Sequence, residues 1–136
     1  MKKRTKVFVA IGIILVLCVI AGVVVYNQLG NNLEALTTMD IPSMNLSESE
    51  DGLYMGSYSA FPVSAEVEVT IENHKIVGVE LIKHVTGQGQ AAESIPDAVV
   101  SSQSINVDTV SGATYSSVVI LKAIENALVL SGAKPI

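Results

Sequence analysis

The chain has 136 residues, of which 49% are hydrophobic, a net charge of −5 at pH 7 and a single cysteine. This length suggests one domain at most, and one cysteine excludes an intramolecular disulfide, a thiolate metal cluster and a dithiol redox pair. Thirteen acidic and four basic side chains follow Tyr26, so that part has a net charge of −9. Because so acidic a surface repels phosphates, we expect no nucleic acid among its partners.

The N-terminal part of the sequence contains twenty uncharged residues in a row, from Val7 to Tyr26. As an α-helix this run would span ~30 Å, the thickness of a bilayer's hydrocarbon core. Residues 1–6 carry four cations, and the next Lys or Arg after the run is Lys75. Because basic residues collect on the cytoplasmic side of a membrane, we expect a cytoplasmic segment 1–6, a single-pass cell-membrane anchor 7–26, and an extracytoplasmic remainder.

This run has two alternatives to an uncleaved anchor. A cleaved signal peptide has a shorter apolar stretch and a small-residue cleavage site. Here the apolar stretch is longer and no such cleavage site follows it. A lipoprotein signal would use Cys18, but the residue before a lipidated cysteine is normally small, whereas here it is Leu17. Cys18 also lies inside the apolar run rather than at its end. We therefore favour the uncleaved transmembrane helix.

The remainder divides into a spacer and a folded domain. Residues 27–50 are mostly polar with little periodicity, which predicts a flexible tether. The domain is expected over residues 51–136, and its first half predicts three antiparallel strands because apolar and polar residues alternate there. The predicted strands are Gly52–Ala60, Val63–Ile71 and Lys75–His84, the last two joined as a hairpin by the "ENHK" turn.

The second half of the domain predicts two helices. The first covers residues 91–104, with Pro96 in its first turn, and the second begins at Thr114, where apolar residues recur at helical spacing. Residues 105–110 are expected to be extended. The expected caps are Ser94 for the first helix, Ser111 or Thr114 for the start of the second, and Gly132 for its end. The predicted fold class is α+β: a small twisted antiparallel sheet packed against two helices, preceded by one N-terminal transmembrane helix.

Six hydroxyl side chains crowd the ten residues 108–117, "DTVSGATYSS", at the start of the last helix. A purely structural interpretation is capping, since Ser, Thr and Asp accept hydrogen bonds from the unpaired N–H groups there. That interpretation accounts for one or two hydroxyls only. A helix N-terminus also binds phosphate well, because it combines free N–H donors with a partial positive charge.

The segment Asp108 to Thr114, "DTVSGAT", resembles position for position the D-x-x-[ST]-G-A-T flavinylation motif of the FMN-binding domain family. That domain occurs in peripheral flavin subunits of sodium-translocating NADH:quinone oxidoreductases and Rnf-type complexes, and in small membrane-anchored bacterial proteins. The resemblance extends from "DGLYMGSY" to "KAIENAL", residues 51 to 128. It therefore covers one whole copy of the domain.

The resemblance implies a covalent phosphoester bond between Thr114 and FMN. In the family a dedicated flavin transferase makes this bond, with FAD as donor and a divalent metal, Mg²⁺. The protein itself is expected to have no metal site and no catalytic residues. The cofactor-binding residues that the resemblance implies are Thr114, Ser111, Gly112, Ala113, Asp108, Tyr115, Ser116, Ser117, Thr86 and Gly87.

The loop after the third strand is expected to contact the flavin ring, but it departs from the family pattern. Many members have Thr-Pro-Gly or Glu-Thr in this loop, where this chain has "HVTGQG". We interpret His84 as a surface residue at the strand end rather than a proton donor to the flavin, and assign His74 no role. The stretch "GQGQAA" imitates a dinucleotide-binding fingerprint, but too few residues follow it to form a doubly wound parallel sheet.

The sequence is thus interpreted as a membrane-anchored extracytoplasmic flavoprotein that relays electrons, a carrier rather than an enzyme with its own substrate. Its expected partners are the flavin transferase, the membrane, and redox donor and acceptor proteins or quinone. Two alternatives stay open. The chain could be a subunit of a larger membrane redox complex, or a flavin-free surface module that binds a ligand or a partner.

Overall fold

The computed structural model describes residues 2–136, and their side chains except those of residues 2–5 and 32. The chain divides into two compact units, Met1–Asn32 and Leu33–Ile136. Helix α1, Lys2–Thr37, makes up the described part of the first unit and continues into the second.

The apolar side chains of α1 face outward in the first unit. Every large hydrophobic side chain from Val7 to Tyr26 is exposed by half or more of its surface. A helix with apolar residues on all sides is typical of a membrane span, and α1 is long and apolar enough to cross a bilayer. The predicted apolar helix is therefore present.

Three antiparallel strands form a meander in the second unit: β2, Gly52–Ala60, β3, Val63–Glu72, and β4, Lys75–Val85. Alternate residues of β3 are buried along its whole length, and Val67, Val69 and Ile71 are fully buried. The other face of β3 carries Glu66 and Glu68, as the period-2 alternation of its sequence predicts. The three predicted strands are confirmed.

Helices cover one face of this sheet. A 3₁₀ helix, Gln90–Ser94, leads directly into α2, Ile95–Ser102, and α3 follows at Thr114–Leu130. Helix α3 packs on β2 and β3, and α2 packs on β4. Ile120, Ile124 and Leu128 of α3 are fully buried against the sheet. The predicted fold class, a small antiparallel sheet packed against two helices after an apolar N-terminal helix, is confirmed.

The predicted N-cap position is confirmed for α2, where it is Ser94, and wrong for α3, and the C-terminal prediction for α3 is confirmed. Ser94 adopts helical dihedrals, and its hydroxyl donates to Ala91 O inside the 3₁₀ helix rather than capping α2. Helix α3 has Ala113 at its N-cap position and no side-chain cap. At its end Gly132 has φ +93°, and the N–H groups of Gly132 and Ala133 donate to Val129 and Leu128. This is a Schellman motif, which favours glycine at the left-handed position.

Residues 27–50 differ from the predicted flexible tether. Helix α1 continues to Thr37, and Leu36 is almost fully buried in the second unit. Further on, β1, Met44–Asn45, pairs with β5, Lys134–Pro135, near the C-terminus. The Lys134 ammonium pairs with Glu48 and holds the pKa of that carboxyl below its ordinary value. The segment's apolar residues contact the core, so residues 33–50 belong to the domain's compact unit.

Gln103 joins α2 to the edge strand β4 through its side-chain amide. The residue has φ +55°, and its Oε1 accepts from Ile76 N–H at 3.0 Å while its Nε2 donates to Ile76 O at 2.7 Å. Nε2 also donates to Val100 O at 2.7 Å. The side chain thus pairs with β4 as a backbone peptide would.

We expect Gln103→Glu to lower the free energy of unfolding by about 1–3 kcal/mol, because a carboxylate cannot donate to Ile76 O and Val100 O. Urea denaturation measures the change, and Gln90→Glu is the matched control, since Gln90 is exposed. Equal midpoints for the two variants would show that the Gln103 pairing contributes nothing.

Candidate functional site

A cavity of about 290 Å³ lies beside the N-terminus of α3 in the second unit. The segments that form it come from four distant parts of the sequence: the end of α1, the β2–β3 turn, the loop after β4, and the start of α3. The lining residues are Leu33, Pro62, Val63, Thr86, Gly87, Gln88, Gly89, Gly112, Ala113, Tyr115 and Ser116. One wall is therefore apolar and the other carries hydroxyl and backbone groups, the mixture typical of small-molecule sites.

Two hydroxyls join the β4 loop to α3 at the wall of the cavity. Thr86 Oγ1 and Ser116 Oγ lie 2.9 Å apart, and the Gly89 N–H donates to Thr86 Oγ1 at 2.9 Å. A Cβ on Gly89 would lie 2.0 Å from Ser116 Oγ and 2.5 Å from Thr86 Oγ1. Only glycine at position 89 allows this close approach, which fixes the loop against the helix.

Thr114 is the first residue of α3 and lies between two cavity-lining residues, Ala113 and Tyr115. Its half-buried side chain makes no hydrogen bond to any residue that the structure describes. The first intrahelical bond runs from Ser117 N–H to Ala113 O, so the N–H groups before it have no partner in the helix. These donors and the helix dipole favour an anionic group beside Thr114.

Gly112 opens the approach to Thr114. It has φ +79°, a backbone conformation that glycine adopts without strain, and a Cβ placed there would meet no atom within 4 Å. The turn before α3 therefore presents open space at the helix N-terminus.

The cavity brings together some, but not all, of the predicted cofactor-binding residues. Thr86, Gly87, Gly112, Ala113, Tyr115 and Ser116 line it. Asp108 and Ser111 are exposed in the loop before α3. Ser117 is fully buried, and its hydroxyl accepts from Val110 N–H and donates to Ala113 O, so it holds the motif loop. Sequence reasoning missed the apolar wall, Leu33, Pro62 and Val63.

His84 is buried rather than exposed, contrary to the interpretation as a surface residue. Its side chain is 3% exposed, because it lies opposite Ala65 on the core face of the sheet. His84 Nδ1 lies 3.2 Å from Glu93 Oε1, whereas its Nε2 is buried without a partner among the described residues. His74 lies in the β3–β4 turn, where its Nδ1 contacts Ser49 O at 2.8 Å.

Comparison with known proteins agrees with this geometry. The family model for the FMN-binding domain matches residues 62–129. A Treponema pallidum (strain Nichols) protein described as uncharacterized is 33% identical over 85 residues, which cover 60% of this chain and 24% of that relative. This chain thus matches about a quarter of the relative's length.

The cavity has the groups that FMN requires. An apolar wall suits the flavin ring, the Thr86 and Ser116 hydroxyls can hydrogen-bond its polar edges or ribityl chain, and the N-terminus of α3 suits its phosphate. A volume of about 290 Å³ is small for a bound nucleotide, so we expect part of the cofactor to project from the opening. With a family match over half of its length, the chain belongs to the FMN-binding domain family.

Proposed function

We propose that the protein is a membrane-anchored, extracytoplasmic electron carrier whose FMN is attached through a phosphoester bond to Thr114. The supporting observation is the position of Thr114: it is the first residue of α3, next in sequence to the cavity-lining Ala113 and Tyr115, and its hydroxyl has no hydrogen bond to a described residue. FMN supplies one- and two-electron redox chemistry when bound. The chain's contribution is to hold the cofactor, orient it and shield it from water.

Attachment would consume FAD and be catalysed by a Mg²⁺-dependent flavin transferase. The Thr114 oxygen forms a bond to the phosphorus of the FMN half of FAD, the pyrophosphate P–O bond breaks, and AMP leaves. The hydroxyl proton is released with AMP or to solvent. The exposed Asp108 and Ser111 would be available to the transferase before α3, and the phosphodiester would keep one negative charge near the helix N-terminus.

The structure changes our expectation for the reach of the carrier. A flexible tether of residues 27–50 would let the domain travel between a donor at the membrane and an acceptor beyond it. Because residues 33–50 belong to the compact unit, we propose that residues 27–32 alone set that reach. The redox donor and acceptor, proteins or quinone, would then have to come to the domain.

Intact mass spectrometry tests the proposal. We expect the protein expressed with a flavin transferase to gain the mass of one FMN less one water. Thr114→Ser should retain this gain, because it keeps a hydroxyl, and Thr114→Val should lose it completely. Thr109→Val is the matched control, since it removes an exposed threonine of the same loop.

Two results would contradict the proposal. An unchanged wild-type mass in the presence of an active transferase would favour a flavin-free binding module. A full mass gain in Thr114→Val would show that another side chain is the acceptor.

A further inference from the structure

His84 occupies a costly position that packing alone does not explain. Its imidazole is 3% exposed, and its Nε2 has no hydrogen-bond partner in the part of the chain that the structure describes. A buried polar atom without a partner destabilises a fold, so most are paired. An apolar side chain at position 84 would avoid this cost.

The Glu93 contact determines which ring nitrogen carries the proton. An ionised carboxylate only accepts hydrogen bonds, so the 3.2 Å contact from Nδ1 to Glu93 Oε1 assigns the hydrogen to Nδ1. In the neutral ring Nε2 then carries a free lone pair. The ring is therefore prepared to accept one proton, with a carboxylate in place to stabilise the resulting imidazolium.

His84 does not itself line the cavity, but its backbone is close to a residue that does. His84 is two residues before Thr86, which lines the cavity, so their Cα atoms are at most ~7 Å apart. Glu93 lies in the 3₁₀ helix that follows the cavity loop. The His84–Glu93 contact thus joins the two ends of the segment that forms one cavity wall.

Other charged or titratable side chains near this region are paired or lie elsewhere. Glu66 and Lys83 are cross-strand neighbours on the opposite face of the sheet. Tyr58 shares the row of Ala65 and His84, and its hydroxyl donates to Met39 Sδ. The remaining groups on the packed helices are the exposed Asp97 of α2, and Tyr115 and the Lys122–Glu125 ion pair of α3. Glu93 is the described carboxylate in contact with the ring.

We propose that His84 is the redox-linked proton acceptor of the flavin site. This inference rests on the proposed function, that is, on FMN in the cavity. When FMN gains two electrons and one proton from a reductant, the site gains one negative charge. Because that charge favours a cation nearby, a second proton from solvent forms an N–H bond at His84 Nε2 and the net charge of the site stays constant.

The pH dependence of the midpoint potential tests the inference. For a two-electron couple, a tenfold change in proton concentration shifts the potential by about 29.6 mV for each proton taken up. We expect the flavinylated wild type to show a two-proton slope of about 59 mV per pH unit over the measured pH range. His84→Gln should show the one-proton slope over the same range.

The chain's second histidine provides the matched control. His74 contacts an oxygen through Nδ1 as His84 does, here the backbone oxygen of Ser49, but it lies at the opposite end of β4, roughly 30 Å from His84 along the strand. His74→Gln should keep the wild-type slope. It also leaves a single histidine, so the ¹⁵N resonances of its imidazole report directly on His84 in the dithionite-reduced and oxidised protein.

Each outcome supports or overturns the inference. A two-proton slope that is lost in His84→Gln, with Nε2 protonated on reduction, supports it. A one-proton slope in the wild type, or the same slope in flavinylated His84→Gln, overturns it. If His84→Gln does not fold or take up FMN, an imidazole that stays neutral in reduced His74→Gln overturns it. A wild type without covalent FMN would contradict the proposed function itself, and this inference with it.

Discussion

Gly56→Ala is expected to be the most destabilising small substitution in the domain. A Cβ at this position of β2 would lie 2.1 Å from Ala123 O, 2.6 Å from Ala127 N and 2.8 Å from Ala127 Cβ. The first two are backbone atoms of α3, so no side-chain rotation relieves the overlap. Helix α3 would have to move away from the sheet, although its inner face is fully buried there.

We expect a loss of about 3 kcal/mol or more in the free energy of unfolding, the upper end of the overpacking range. For a domain of this size that lowers Tm by roughly 12 °C or more. Gly78→Ala is the matched control on β4, since its Cβ would meet only Thr70 side-chain atoms at 3.7 Å or more. Thermal unfolding followed by circular dichroism compares the two variants, and a similar Tm would refute the close packing of β2 on α3.

The strands could be predicted from the sequence because their signal is local. In β3 the apolar residues occupy every second position and face the core. The sequence alone therefore shows which face of this strand is buried. Strand β4 is different, since two bulges insert Val77 and Ile82 as exposed extra residues. Each bulge reverses the alternation, so counting by twos from Val79 or Leu81 places Val85 rather than His84 on the core face.

The missing side-chain caps and the cavity walls could not be predicted from the pattern of residue types. Ser94 is the last residue of a 3₁₀ helix, and its hydroxyl donates to Ala91 O within that helix. The N-terminus of α3 remains uncapped, which is consistent with an N-terminus that binds a ligand. Leu33 and Pro62 line the cavity only because the end of α1 and the β2–β3 turn meet there. The spacing of apolar residues within each segment does not predict that contact.

The motif could be located from the sequence, but only the structure distinguishes the roles of its hydroxyl residues. Thr114 and Ser117 look equivalent as hydroxyls near a helix start. Ser117 is fully buried and bonded to Val110 and Ala113, whereas Thr114 is half-buried and makes no hydrogen bond to a described residue. Burial and hydrogen bonding therefore separate the candidate acceptor from a residue that supports the loop.

Gly89→Ala is expected to disrupt the cavity wall. The new Cβ would lie 2.0 Å from Ser116 Oγ and 2.6 Å from Ser116 Cβ, so the loop must move away from α3. The Thr86–Ser116 hydrogen bond and the Gly89 N–H bond to Thr86 would both be lost. We expect a stability loss of about 1–3 kcal/mol and, in the FMN-bound protein, a flavin more accessible to iodide quenching.

Two further variants show whether the contact with Ser116 is the cause. Gly87→Ala also changes the cavity wall, but its Cβ would meet nothing within 4 Å, so stability and quenching should stay close to wild type. Adding Ser116→Gly to Gly89→Ala removes the two Ser116 atoms in conflict. Because residues in contact are not additive, the double variant should be more stable than the sum of the two single changes predicts. Strict additivity would mean that Gly89 is needed for another reason.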